Sequence, residues 1–141
     1  MLRVTSYTES DSVSCFMNYA LAPDIKQQID ALIDRLDFKH IKAPYVHCIR
    51  SLDAKTRAVA RIWGMSRLFK EVAGLAPHYI IEVNAKRFDK LPVRKKIKTL
   101  IHELMHIPKT FSGALLSHRG PYHRINDKEV EKILKTWSRA F

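Results

Sequence analysis

At 141 residues the chain is long enough for one ordinary hydrophobic core, and residues 1–141 read as a single domain that needs no disulfide staple. An apolar fraction of 46% with 28% charged residues excludes a disordered or fibrous chain, and no run approaches the roughly 18 apolar residues of a membrane span. The net charge of +11 is uneven: residues 1–83 hold 11 Lys/Arg against 9 Asp/Glu, residues 84–141 hold 14 against 5.

Such a basic C-terminal half attracts acidic partners, nucleic acid included, although a solvated surface explains it equally and no helix-turn-helix or RNA-binding signature accompanies it. Met1 to Asn18 is mixed and polar, without the basic-then-apolar order of a signal peptide. The two cysteines, Cys15 and Cys48, match no metal spacing and need not pair, so a reducing cytoplasm is expected.

Pro23-Asp24 opens a helix with Ile25, Ile29, Leu32, Ile33 and Leu36 at helical spacing. Lys39 to Pro44 reads as a loop, Tyr45 to Ile49 as a strand, and Arg57 to Trp63 as a second strand ended by Gly64. Ser66 can cap a short helix carrying Leu68, Phe69 and Val72, which Gly74 stops. Tyr79 to Val83 is a third strand. Pro92 suits the first turn of the next helix, whose stripe is Val93, Ile97, Leu100, Ile101 and Leu104; Pro108 requires it to end near Ile107. Lys109 to Asn126 is loop-like. Asn126 with Glu129 forms a capping-box pattern for a last helix that buries Val130, Ile133, Leu134 and Trp137.

The most informative stretch lies on the Pro92 helix: His102-Glu103-Leu104-Met105-His106, an HExxH run. Imidazoles four residues apart share one helix face, so both can bind one zinc ion, with Glu103 beside the water the metal holds. At about 100° per residue the two histidines point roughly 150–200° from the apolar stripe, which argues against their being core histidines. A catalytic zinc takes three protein ligands and leaves one position open. His118, His123, Glu129 and Glu131 compete for the third place; spacing favours a histidine and does not choose between the two. His40, His47 and His78 are isolated and read as surface or hydrogen-bonded. Arg94-Lys95-Lys96 with Lys98 reads as the solvated face of the helix, and Ser112 and Cys15 lack partners for nucleophilic catalysis.

From about Tyr79 onward the chain resembles the minimal zincins, a metallopeptidase family of archaea and phages, and more distantly the SprT-like proteases. The residues that carry the resemblance are Tyr79 to Val83, His102 to Pro108, Phe111 to Leu115, and His118. SprT-like members place their third ligand in a His-Gly-Pro-x-aromatic segment, and His118-Arg-Gly-Pro-Tyr122 is similar with one inserted arginine. The resemblance therefore implies His102, His106 and His118 as zinc ligands and Glu103 as general base of peptide-bond hydrolysis. It leaves Tyr122, His123 and Arg124 as candidates for a second donor to the oxyanion.

These readings predict an α/β fold of the zincin-like α+β kind. It has a small mixed or antiparallel sheet, an N-terminal helix, an HExxH helix and a C-terminal helix. The expected function is a zinc-dependent metallopeptidase acting on peptides or unfolded segments, with Tyr79 to Val83 as a cleft-edge strand to which an extended peptide adds. Two alternatives follow from the same residues: a nucleic-acid-associated, SprT-like protease, and a non-enzymatic module whose structural zinc is closed by all four histidines.

Overall fold

The structure is a computed structural model that describes residues 18–139. Cys15 and the segment read for a targeting signal, up to residue 17, lie outside the described residues. In chain order the elements are β1 (Tyr19–Leu21), α1 (Pro23–Arg35), β2 (Val46–Ser51), β3 (Ala60–Trp63), α2 (Arg67–Ala73) and β4 (Tyr79–Asn84). They continue with α3 (Ala85–Phe88), α4 (Val93–Met105), β5 (Arg119–Gly120), β6 (His123–Arg124) and α5 (Asp127–Arg139). No helix among the described residues is long and apolar enough to cross a membrane.

The expected mixed α/β architecture is present. Four strands form one sheet in the order β1-β2-β4-β3, and β5 with β6 forms a separate small hairpin. β2 and β4 run parallel, with Val46 opposite Tyr79 and Ser51 opposite Asn84, whereas β1 and β3 join the outer sides antiparallel. Side chains alternate across a strand, so Val46, Cys48, Tyr79, Ile81 and Val83 share one face. That face meets Ile25, Ile29 and Leu32 of α1 and Leu100, Ile101 and Leu104 of α4 in one buried cluster. α1 starts where expected, at Pro23, and Arg50 ties it down by pairing with Asp24 (2.6 Å) and with Asp89 beyond α3 (3.0 Å).

Three sequence readings need correction. Tyr79 to Val83 is not an edge: β4 is paired on both sides, and the edges of the sheet are β1 and β3. A nearly continuous apolar run such as Tyr79-Ile80-Ile81-Glu82-Val83 is what an inner strand carries, because both of its faces are covered. The stripe of α4 starts at Ile97 rather than Val93, which is 69% exposed at the helix start. Lys109 to Asn126, read as loop, contains the β5–β6 hairpin.

Short elements follow their caps. The Ser66 hydroxyl accepts the Phe69 N–H, and Gly74 closes α2 in the left-handed region at φ 66°. α2 itself buries none of its residues, and it is anchored through Lys70 Nζ to the Ser112 carbonyl at 2.7 Å. Asn126 Oδ1 accepts the Glu129 N–H at 2.9 Å, the forward half of the anticipated capping box.

The link between β3 and the rest of the site is a backbone contact at two glycines. Met65 N–H donates to the Gly113 carbonyl, and a Cβ on Gly64 would sit 2.3 Å from that same oxygen. Gly113 adopts φ +95°, where L side chains are strained. Gly64→Ala should therefore push the 111–116 loop off β3 and destabilise the fold by about 1–3 kcal/mol, read as a lower urea midpoint with an unchanged m-value.

Candidate metal centre

α4 supplies two histidines from one face, and a chain reversal brings the third. α4 ends at Met105, and His106 caps it, its N–H bonding back to the carbonyls of Glu103 and Leu104. Pro108 prevents continuation. Phe111 (φ 47°) and Gly113 (φ 95°) then turn the chain through two left-handed residues. On its return the chain pairs with the helix end: Leu116 N–H donates to the His106 carbonyl at 2.8 Å, and His106 Nδ1 donates to the Leu116 carbonyl at 2.5 Å. Two residues later His118 faces α4. Its ring centroid lies 5.1 Å from that of His102 and 4.7 Å from that of His106.

The three rings present their Nε2 atoms to a common point. His102 Nε2 is 3.2 Å from His118 Nε2 and 3.4 Å from His106 Nε2, and one ligand atom from each of the three residues lies within 4.8 Å of the others. Because His106 Nδ1 carries the proton given to Leu116, its Nε2 has a free lone pair aimed into the cluster. Tetrahedral zinc with Zn–N of about 2.0–2.1 Å requires nitrogens about 3.3 Å apart, which the His102–His118 and His102–His106 separations match. The Leu116 carbonyl is the kind of outer partner that fixes the tautomer and orientation of a ligating histidine.

Burial sets the electrostatics. The apolar stripe and the histidine face are opposed as expected, yet the histidine face is not open to solvent. The returning loop covers it, leaving His106 and Glu103 buried and His102 half-buried. Burial, followed by the nearby His106 and His118, pushes the His102 imidazole down to about 4, and burial also lowers His106 against the opposing pull of the Leu116 carbonyl. Burial alone pushes the Glu103 carboxyl up to about 7. Beside the cluster a groove of about 480 Å³ runs between β3, α4 and α5, with His102 and Glu103 in its wall and Val59, Ala60 and Val130 opposite.

The competing residues lie elsewhere. His123 donates from Nε2 to the Ser117 carbonyl at 2.8 Å and is not in the three-histidine group. Its ring lies over Gly120, where a Cβ would come within 2.1 Å, so it braces the hairpin that follows His118. Glu131 is shared between Arg94 and Lys98, and Glu129 pairs with Lys132. Of the three candidate oxyanion donors, Tyr122 is fully exposed and Arg124 donates to the Gly120 and His123 carbonyls. Outside the site, His40 donates to the Ile107 carbonyl, His47 and His78 bond to each other at 2.9 Å, and the Ser112 hydroxyl accepts the Ala114 N–H.

Sequence reasoning missed the residue that holds the reversal. The Tyr79 hydroxyl accepts the Gly113 N–H and donates to the Ala114 carbonyl, both at 2.8 Å, while its ring packs edge-on against Phe111 at 5.0 Å. A fully buried tyrosine needs a partner for its hydroxyl, and that requirement was the available signal. Tyr79→Phe should cost about 1–3 kcal/mol, because the Gly113 N–H stays buried without its acceptor, and should weaken metal binding without unfolding the protein. Thermal melts and zinc titration check both.

In the metal-free protein, His102 should titrate near pH 4 rather than 6.5, measurable from its ring nitrogens by NMR. Its folded value lies below the unfolded one, so between them the unfolded chain binds more protons. Stability of the metal-free protein should therefore fall as pH drops below about 6.5.

The family model described as "Putative phage metallopeptidase" matches residues 17–137. No curated protein and no solved structure matches the chain.

Proposed function

The chain belongs to the phage metallopeptidase family, and from that membership we propose that it is a zinc-dependent peptidase in which His102, His106 and His118 hold the metal and Glu103 is the general base. The observation that carries this reading is the convergence of three imidazole Nε2 atoms beside a buried carboxylate that lines an open groove. Zinc bound there would supply Lewis acidity, polarising a carbonyl and acidifying water.

The chain's own residues supply the remaining steps. Glu103 follows His102 directly and shares the groove wall, where it can take the proton of an attacking water. It then returns that proton to the amine that leaves when the C–N bond breaks, so one carboxylate serves as base and then as acid. A carboxyl raised to about 7 by burial suits both roles near neutral pH. His106, held by the Leu116 carbonyl, keeps its donor nitrogen aimed at the centre through the reaction.

The substrate we propose is an extended peptide or unfolded segment. β3 is paired to β4 on one side only, and Val59 gives its carbonyl to Asn84, so Ala60 and Ile62 turn their N–H and C=O groups to the open side. A peptide could pair there by strand addition. β3 thus takes the docking role expected of Tyr79–Val83.

Glu103→Gln should retain zinc while hydrolysis of an unfolded protein falls about 10²–10⁴-fold. His118→Ala should weaken zinc binding by more than about 100-fold, whereas His123→Ala, removing only a brace, should cost about tenfold or less. Zinc stoichiometry and casein hydrolysis measure both. Equal losses for the two histidines would favour a four-histidine structural site, and a parent protein that hydrolyses nothing would refute the peptidase reading.

A further inference from the structure

We propose that the groove beside the metal centre contains a subsite for an acidic side chain of the peptide, read by the ammonium of Lys95. The inference rests on the peptidase reading above and gives it a substrate class: peptides with Asp or Glu about three residues from the scissile bond.

The groove is continuous along one face of α4. Lys95, Thr99 and His102 follow one another at helical spacing and line the same wall, with Glu103 beside His102. Seven residues separate Lys95 from His102, which at 1.5 Å per residue is about 10 Å along the axis. An extended peptide advances about 3.3 Å per residue, so a chain cut at His102 passes Lys95 about three residues away. Ala60 stands across the groove and turns its backbone groups to the open edge of β3, which would hold the peptide in extended form.

Charge then decides what side chain fits. Lys98 also lines the groove, but its ammonium is committed to Asp127 at 2.5 Å and Glu131 at 2.9 Å, and Arg94 shares Glu131 at 2.6 Å. Asp127 in the groove wall and Glu131 behind it are thus already neutralised by cations of α4, and Glu103 lies eight residues, about 12 Å, farther along the helix from Lys95. Among the described residues Lys95 has no carboxylate within 4.0 Å, and it is exposed. An incoming Asp or Glu finds an unpaired cation there, whereas an incoming Lys or Arg finds no free anion and one like charge.

The test reads binding separately from turnover. Labelled neutral decapeptides with a single Glu moved through successive positions are titrated by fluorescence anisotropy against zinc-loaded Glu103→Gln protein. A partly exposed ion pair gives roughly two- to fivefold tighter binding than the Gln counterpart, at one position only, and less as salt rises. Lys95→Ala should flatten the scan. Lys95→Glu should invert it so that a Lys peptide binds best, while Lys135→Glu, the same charge change on the exposed side of α5, should leave the profile unchanged. A flat scan, no binding by any peptide, or a profile indifferent to Lys95→Glu overturns the subsite. Hydrolysis of the same peptides by the parent protein is scored apart: a Glu-selective scan with no cleavage refutes the peptidase reading and leaves the subsite standing.

Discussion

The three-histidine cluster depends on one reversal of the chain, the loop that leaves the C-terminal end of α4 and returns to pair with His106, bringing His118 to His102 and His106. A helix can place two imidazoles on one face through its own period, but a third donor on the same side must come from outside the helix. Here the reversal needs two left-handed residues, Phe111 and Gly113, and the phenol of Tyr79 to fix the turn. Tyr79 belongs to the central strand, so the position of the third histidine is set by the most deeply packed part of the sheet. The fold reaches the site through hydrogen bonds to backbone, which hold the loop without restricting which side chains line the groove.

Burial sets the chemistry of Glu103. On an uncovered helix a carboxylate at that position would be hydrated and ionised. Buried in the fold, Glu103 lines the groove between β3, α4 and α5, and burial raises its proton affinity toward neutrality. The imidazoles of His102 and His106 are pushed the other way, toward the neutral form. Burial therefore separates the proton affinities of neighbouring groups in opposite directions.

How much of this was legible depended on whether the information was local. α1, α4 and α5 declared themselves by period, and Pro23, Ser66, Gly74 and Asn126 marked boundaries through local geometry. β1 and the β5–β6 hairpin, two or three residues per strand, are too short to carry a period. The choice between His118 and His123 could not be made from spacing, because it is made by hairpin register. Gly120 opposite His123 leaves room for the imidazole, which then binds the Ser117 carbonyl. The misreading of β4 as an edge was avoidable, since its side chains are apolar on nearly every position while Ala60–Trp63 are mixed. The hydroxyl of Tyr79 could not be assigned because its partners are more than 30 residues away.

The position of β3 explains why the groove and the metal centre form one feature. β3 is held to β4 along one side and to the reversal loop at its end, through Met65 and Gly113. The Met65–Gly113 hydrogen bond therefore ties the end of β3 to the loop that carries His118. The open side of β3 and the histidine cluster are thus joined over a few residues, by a contact between Gly64 and Gly113 that tolerates no side chain. The two glycines serve neither metal nor substrate directly. They set the distance between the surface that would hold a peptide and the histidines beside it.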